Sequence, residues 1–600
     1  MKVRARPYNF TLRLRILAGV LGLCGVVLVG RAAQMQLLNR DFYQHQGNQR
    51  FLREVPIATS RGMIMDRNGE PLAVSTPVES VWANPKELLQ HADRLPELAQ
   101  ALAIPQDVLT QSIAQRADKE FVFLRRRINP DDAEAVIKHN IPGVYKQREF
   151  RRFYPHGEVM AHVLGFTNID DHGQEGIELA FDSWLTGRAG AQRVIRDRHG
   201  HVVENVDLIR AAEPGKDITL SIDRRVQYLA YRELKAALIA NGASSGSAVV
   251  LDVPTGEILA MVNQPAYNPN AREAAEPGTH RNRAMTDVVE PGSVMKPYTV
   301  VAALEAGVNP NIVIQTSPGR MMLGKYPISD VKDHGAVTLT TLLSTSSNIG
   351  AAKLGLDMTS EHLYDVLHRF GYGESTHSGF PGESSGVMAP ARTWGMVKRG
   401  TISYGMGLSV TPVQLAQAYA ALANRGRLMP PTFIKGGEGG GRQVMDPRIA
   451  HSVLTMLEGV TQEGGTAQRA AITGYHVAGK TGTARQASGG GYAKRYVSVF
   501  AGVVPMDHPK FAMVVIINNP RGRDYYGGLV SAPVFHNVME GALRLMDVPP
   551  DHVEQWYAAA SIATAHPVAA VAGVATSSAD NPLEPQAAAI EGAAKVEGGL

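Results

Sequence analysis

The stretch Val288–Gly307, VVEPGSVMKPYTVVAALEAG, decides how this chain is read. Glu290-Pro291-Gly292 is a turn signal. The residues after this turn (Val294, Met295, Tyr298, Val300, Val301, Ala302, Ala303, Leu304) are apolar nearly all round, the pattern of a helix buried on every side. Its first turn carries Ser293 and Lys296 at the i, i+3 spacing that puts them on one face. A serine hydroxyl is a poor nucleophile until a neighbouring base takes its proton. A lysine with an ordinary pKa of about 10.4 is a poor base at neutral pH, but burial and a nearby second cation both lower that value. The simpler role for a lone S-x-x-K is an N-cap serine followed by a surface lysine.

Two later words decide against the simpler role. Ser346-Ser347-Asn348 interrupts the apolar segment LLSTSSNIGAAKLG, and Lys480-Thr481-Gly482-Thr483 precedes two apolar strand patterns, Val497–Val504 and Phe511–Asn518. S-x-x-K recurs at Ser329–Lys332 in a Pro- and Asp-rich stretch that reads as loop, whereas S-x-N and K-[ST]-G occur once each, both after Ser293. The ordered triple is far more specific than any member. A hydroxyl at Ser346 would relay a proton between Lys296, Lys480 and a leaving amine, and Asn348 would hold a peptide amide with its two-sided hydrogen-bonding group. Gly482 would let a substrate backbone approach closely. Lys480, Thr481 and Thr483 suit a terminal carboxylate, and the N–H groups of Ser293 and Thr483 are candidates for an oxyanion hole.

Working outward, Gly246–Val253 and Glu257–Val262 flank Pro254-Thr255-Gly256 as a hairpin. Between the hairpins lie helical patterns at Ser293–Ala306, Leu339–Leu356, Pro412–Asn424 and Pro447–Val460. Strands at both ends with helices between predict an α+β domain, an antiparallel sheet packed between helices, over residues 221–548. Gly436–Gly441 and Ser488–Gly491 read as flexible loops within it. Residues 38–220 form a mixed, non-catalytic module containing an alternating strand with an Asn-Gly turn at Arg61–Gly69 and helical spacing in Glu175–Gly187. Residues 549–600 are rich in Ala and Pro and read as disordered.

The chain has 600 residues, 44% hydrophobic and 19% charged, with a formal charge of +4. Such a length implies more than one domain, and so small a charge gives no reason to expect nucleic acid as a partner. The single cysteine, Cys24, excludes an internal disulfide. Residues 1–15 form a basic tail ahead of an uncharged run, Ile16–Gly30, which extends to a membrane anchor over 16–37 with its basic end in the cytoplasm. A cleaved signal peptide is the competing reading, since Gly30-Arg31-Ala32 loosely fits a small-x-small site. Either way the rest is exported.

Two decoys are set aside. GYHVAGKT at Gly474–Thr481 matches the phosphate-binding pattern G-x4-G-K-[ST], but the GTARQASGGG after Thr481 cannot start a helix. The histidines show no HExxH or paired ligand spacing, so no metal is expected.

S-x-x-K, S-x-N and K-[ST]-G in this order resemble the penicillin-recognising serine enzymes. RGMIMDRNG, FRRFYP and GIELAFD look like the N-terminal (dimerisation or pedestal) module of class B penicillin-binding proteins. SYGMGLSVTPVQLAQAYAALAN (Ser403–Asn424) and YYGGLVSAPVF (Tyr525–Phe535) look like the division-specific branch, the septal peptidoglycan D,D-transpeptidases of Gram-negative bacteria. The resemblance covers nearly the whole chain. It implies an inner-membrane protein with a periplasmic catalytic domain and no cofactor. It also implies cross-linking of donor and acceptor stem peptides through Ser293, acylation by β-lactams, and partnership with a septal glycan polymerase and other divisome membrane proteins. Met406 departs from the branch, which often carries an aromatic residue there, and leaves a specialised paralogue open beside the main division enzyme. The rival functions are a D,D-carboxypeptidase or β-lactam sensor with the same acylation chemistry and, more remotely, a nucleotide binder or a non-enzymatic divisome scaffold.

Overall fold

The computed structural model describes residues 10–35, 52–196, 202–274, 276–437, 439–488 and 491–551. Helix α1 (Phe10–Ala33) buries none of its side chains, has a mean hydropathy of 2.1 over an 18-residue window, and is long and apolar enough to cross a membrane. It starts earlier than the run over 16–37: Arg13 and Arg15 lie within its first turns rather than in a separate tail. Residues 36 and 37, and nearly all of the expected C-terminal tail, lie outside the described residues.

The first module is built on two sheets. β1 (Leu52–Ile57), β6 (Gly190–Arg196) and β7 (Val202–Arg210) form an antiparallel sheet in the order β1-β6-β7. β3 (Pro71–Ala83) pairs with β4 (Val122–Ile128) on one side and β5 (Val144–Phe153) on the other. Helices α2 (Leu95–Leu102), α3 (Gln106–Ala114) and α4 (Pro130–Lys138) close a separate core there, with Val81, Leu98, Ile113 and Val136 at its centre. β2 (Ile64–Met65) pairs with β3 and, in parallel, with β8 (Ile218–Thr219), the strand that leads into the second unit.

Two expectations fail in this module for identifiable reasons. Arg61–Gly69 is no alternating strand beyond Ile64–Met65. Arg61 turns inward to bond Glu178 at 2.6 Å and Asp182 at 2.7 Å, while the Asp66 carboxylate accepts the N–H groups of Asn68 and Glu70 and so bends the chain. The helical pattern over Glu175–Gly187 breaks at Phe181 into Gly176–Ala180 and Asp182–Leu185. Glu178 is fully buried and also accepts from Arg152 Nε at 2.6 Å. RGMIMDRNG, FRRFYP and GIELAFD are thereby fastened to one another by a single carboxylate.

The second unit is an antiparallel sheet in the order β10-β9-β13-β12-β11. Its strands are β9 (Ser245–Asp252), β10 (Ile258–Gln264), β11 (Ala478–Ser488), β12 (Gly491–Val504) and β13 (Phe511–Asn518). Both faces are covered, as the unbroken apolar runs of β9, β10 and β13 require. Helices α5 (Arg224–Ala240) and α11 (Ala532–Leu545) pack on one face. On the other lies α9 (Pro412–Ala423), buried along its whole length and started by a Thr411–Gln414 capping box. The expected α+β class is present. One continuous core runs through this sheet and on into Ile64, Leu72, Leu164 and Ile177 of the first module. Ser488 and Gly491, expected in a loop, pair with each other as the last rung of the β11–β12 hairpin.

Candidate active site

β11 is the terminal strand of the sheet, so one of its edges faces a cleft of about 820 Å³. The other wall is helical. Gly292–Met295 forms a 3-10 turn that runs directly into α6 (Lys296–Glu305), and every residue from Lys296 to Ala303 is buried. The turn is seated by close backbone contact. Gly292 N–H donates to Gly405 O at 3.0 Å, and a side chain on Gly405 would place its Cβ 1.9 Å from Gly292 O. From the far side, Tyr419 OH donates to Val294 O at 2.8 Å.

The apolar segment expected as one helix over Leu339–Leu356 is two, α7 (Leu339–Thr345) and α8 (Asn348–Asp357). Ser346 ends α7 in the left-handed conformation, with φ 62° and ψ 40°. This is a costly backbone for a residue with a Cβ, and strain of this kind concentrates at functional sites. Ser347 then caps α8, accepting from Gly350 N–H at 3.0 Å and donating to Asp330 Oδ2 at 2.6 Å. Asp330 Oδ1 accepts the N–H groups of Asn348 at 2.5 Å and Ile349 at 3.1 Å. A carboxylate at a helix N-terminus satisfies otherwise unpaired donors and favours the helix dipole. Here it also fixes where Ser346 and Asn348 point.

All three sequence words meet at Lys296. Its Nζ lies 2.9 Å from Ser293 Oγ, 2.5 Å from Ser346 O, 3.1 Å from Ser346 Oγ and 2.8 Å from Asn348 Oδ1. Two of these partners, a carbonyl and an amide oxygen, can only accept. A neutral amine that gives its two N–H groups to them has its lone pair left for the hydroxyls, the geometry of a base. Burial holds the Lys296 amine well below the ordinary lysine range, the Lys480 charge lowers it further, and the Asp330 carboxylate opposes both.

Lys480 is buried in β11, and its Nζ donates to Ser346 Oγ at 2.9 Å and Thr481 O at 3.1 Å. Burial lowers it to about 7. Ser346 Oγ thus bridges two amines. Thr481 and Thr483 line the cleft with Ser293, Ser346 and Asn348. Thr481 Oγ1 shares a hydrogen bond with Thr466 Oγ1 at 2.9 Å, and Thr483 Oγ1 accepts Gly527 N–H at 3.1 Å. Gly482 has a structural reason of its own. A Cβ there would sit 2.8 Å from Pro291 O and 3.2 Å from Val294 Cγ1, so the glycine lets β11 lie against the turn that carries Ser293. Asn348 Nδ2 donates to Ser329 O at 3.0 Å, leaving one N–H and one lone pair of its amide for a ligand.

Several cleft residues were not picked out from sequence as parts of the site. Ser329, Asp330 and Lys332 line it, so the second S-x-x-K contributes a capping carboxylate rather than a nucleophile. No local pattern announces this, because Asp330 reaches its partners across seventeen to nineteen residues. Tyr404, Met406, Tyr496, Tyr525 and Tyr526 also line it, with Tyr496 and Tyr525 stacked at 4.0 Å between centroids. The phosphate-loop match is excluded by its setting: Lys480 and Thr481 are mid-strand and no helix comes directly after them.

The chain matches the penicillin binding protein transpeptidase domain over residues 246–540 and the penicillin-binding protein dimerisation domain over residues 56–220. It is 44% identical over 547 residues to the peptidoglycan D,D-transpeptidase FtsI of Escherichia coli K12, covering 90% of this chain and 92% of that one. It is 40% identical to the probable peptidoglycan D,D-transpeptidase PbpC of Pseudomonas aeruginosa, covering 92% and 98%. Among solved structures, the apo form of penicillin binding protein 3 from Mycobacterium tuberculosis aligns with a TM-score of 0.63 at 27% identity, covering 83% and 98%. The transpeptidase domain of penicillin-binding protein 3 from Burkholderia pseudomallei aligns at 0.51 and 41% identity, covering 55% and 97%.

Proposed function

The chain belongs to the class B penicillin-binding proteins, as an FtsI-type peptidoglycan D,D-transpeptidase that cross-links the cell wall and binds β-lactams, and from that premise we propose how its own residues divide the reaction. Ser293 Oγ attacks the carbonyl carbon of the penultimate D-alanine of a donor stem peptide, and Lys296 Nζ takes its proton. The proton passes through Ser346 Oγ to the nitrogen of the terminal D-alanine, which leaves as the C–N bond breaks. An amine of an acceptor stem then attacks the acyl-enzyme, returning the proton along the same path and freeing Ser293. The donor lies along the open edge of β11, where an extended peptide adds as a strand. Its terminal carboxylate meets Lys480, Thr481 and Thr483, its side-chain amide meets Asn348, and Gly482 keeps the strand close to the nucleophile. The backbone N–H groups of Ser293 and Thr483 receive the developing oxyanion.

The observation that carries this assignment is the position of Lys296 Nζ, 2.9 Å from Ser293 Oγ and in reach of a hydroxyl shared with Lys480. The test is labelling of the full chain in detergent with a fluorescent penicillin. Wild type should label stoichiometrically and keep the label, Ser293→Ala should not label, and Lys296→Ala should label at least about a hundredfold more slowly. Persistent labelling of Ser293→Ala would sink the nucleophile assignment.

The setting is also part of the proposal. Residues 221–548 act as the catalytic unit and 38–220 as its pedestal. α1 spans the inner membrane once, with the Arg13 and Arg15 end in the cytoplasm and the catalytic unit in the periplasm. The protein works at the septum with a glycan polymerase and other divisome membrane proteins. Depletion should give filaments, and round cells would refute the septal placement.

A further inference from the structure

Thr481 and Thr483 each lie beside a group that decides where their hydroxyl proton points. A threonine hydroxyl has one proton to give and two lone pairs. At Thr483 the backbone sets the direction: Oγ1 accepts Gly527 N–H at 3.1 Å, which leaves its proton for the cleft. At Thr481 the neighbour is another hydroxyl. Its Oγ1 lies 2.9 Å from Thr466 Oγ1, a pair in which either oxygen can be the donor. Lys480 Nζ stands 3.4 Å from the same oxygen, a long contact beside its bonds of 2.9 Å to Ser346 Oγ and 3.1 Å to Thr481 O.

Thr466 is held in place by contacts other than this bond. It belongs to the loop that leaves α10 (Pro447–Glu458), where Gly465 N–H donates to Gln462 O at 3.0 Å and Ala467 N–H to Val460 O at 2.9 Å. Thr461 Oγ1 donates to Val477 O at 2.7 Å, which ties the loop to the residue before β11. Gly528 lies so close that a Cβ on it would be 2.0 Å from Thr466 O. The Gly527-Gly528 pair therefore supports both cleft hydroxyls, Thr483 through a backbone N–H and Thr481 through Thr466. Thr466 lines the cleft with Thr481 and Thr483, and Thr481 Oγ1 is the one hydrogen-bond partner of its hydroxyl among the described residues.

We propose that Thr466 is a positioning residue for the donor carboxylate: its hydroxyl donates to Thr481 Oγ1 and so turns the Thr481 proton into the cleft. The proposal rests on the reading above that Thr481 and Thr483 meet that carboxylate. A carboxylate only accepts, so it is held when both threonines give it their protons and Thr481 takes a bond from behind. In the opposite direction Thr481 would spend its proton on Thr466 and turn a lone pair toward the anion. A row of hydroxyls ending on a charged acceptor also gains strength along its length, since each bond polarises the next. Recognition of the terminal carboxylate thereby depends on a residue fifteen positions before Thr481 and outside all three sequence words.

The test is the second-order rate of acylation of the full chain in detergent by a chromogenic β-lactam, supplied as the free carboxylate and as its methyl ester. The β-lactam carboxylate stands for that of the donor. The ratio of the two rates reads carboxylate recognition within each variant, so a general loss of folded protein or of Ser293 reactivity cancels. Thr466→Val should lower the ratio about five- to tenfold, and Thr466→Ser should keep it. Adding Thr466→Val to Thr481→Val should lower it no further, because the two residues act through one bond. A wild-type ratio in Thr466→Val, an equal loss in Thr466→Ser, or a further loss in the double variant, the mark of direct contact between Thr466 and the ligand, would each overturn the proposal. A wild-type ratio in Thr481→Val would overturn the carboxylate reading itself, and the proposal with it.

Discussion

Replacing Lys480 by methionine should move the acid limb of Ser293 acylation to higher pH. Both Nζ atoms bond the same Ser346 oxygen, at 3.1 and 2.9 Å, and so lie no more than about 6 Å apart. At an effective dielectric near 20, two unit charges at about 6 Å repel by roughly 3 kcal/mol, or about two pK units at 1.36 kcal/mol each. Lys480 titrates at about 7, so the full repulsion acts only below neutral pH, where it holds its proton. The sign is fixed. Lys296 is a base only when neutral, and a neighbouring cation helps it lose its proton. Without that cation it stays protonated to a higher pH, although burial, the larger cause, still keeps it below the ordinary lysine value.

The assay is the second-order rate of acylation by a chromogenic β-lactam, measured from pH 5 to 10. The midpoint of the acid limb is the readout, because Lys480 is also proposed to meet the donor carboxylate, and loss of that contact would lower the amplitude for a separate reason. Asp330→Asn supplies the opposite sign. Its carboxylate raises Lys296, so removing the charge should shift the limb to lower pH. A limb that stays in place in Lys480→Met, or two variants that shift in the same direction, would refute the electrostatic account of the base.

The geometry sets three further outcomes. Ser346→Gly and Ser346→Ala should both slow acylation by about 10²–10⁴-fold through loss of the relay, but Ser346→Gly should melt higher, since alanine pays roughly 1–2 kcal/mol in the left-handed region; equal acylation by Ser346→Ala and wild type would remove the relay. Gly482→Ala should lower acylation more than about tenfold, because its Cβ would meet Pro291 O at 2.8 Å and push β11 off the nucleophile turn; a wild-type rate would show that the strand can yield. Glu178→Gln should destabilise the fold by roughly 3–5 kcal/mol, leaving the buried Arg61 and Arg152 without their shared carboxylate; thermal denaturation unchanged within a degree would contradict this.

What could be read from sequence was whatever rests on repeating burial. The all-round apolar helix after Lys296, the hairpin of β9 and β10, and the paired strands β12 and β13 were legible because their side chains keep to the period of their own backbone. What the interruptions of those periods do to the backbone was not. Ser346-Ser347-Asn348 shows in the sequence as a polar cluster, but that it splits the helical pattern over Leu339–Leu356 in two was not legible, because what holds the turn open is Asp330, outside the segment. Likewise Arg61 sits where an alternating strand would expose it, but the chain bends to bury it against Glu178. Polar partners far apart in sequence override local pattern wherever leaving a charge unpaired would cost more than breaking the element.

The same principle explains why three short words separated by nearly two hundred residues belong to one site. A lysine becomes a base near neutral pH only if it is buried, and a buried amine must have partners. The helix beginning at Lys296 provides the burial, and Ser346 O and Asn348 Oδ1 provide acceptors. Those acceptors converge only if the chain turns left-handed at Ser346, which the Asp330 cap on α8 secures. Lys480 then needs the Ser346 hydroxyl for its own buried amine, which sets how close the β11 edge must come to the helices. Gly482 permits that approach and Gly405 seats the nucleophile turn from the other side. Each word is therefore the condition under which the other two are chemically useful, and a substitution that spares Ser293 but separates β11 from α8 should silence the enzyme as surely as loss of the nucleophile.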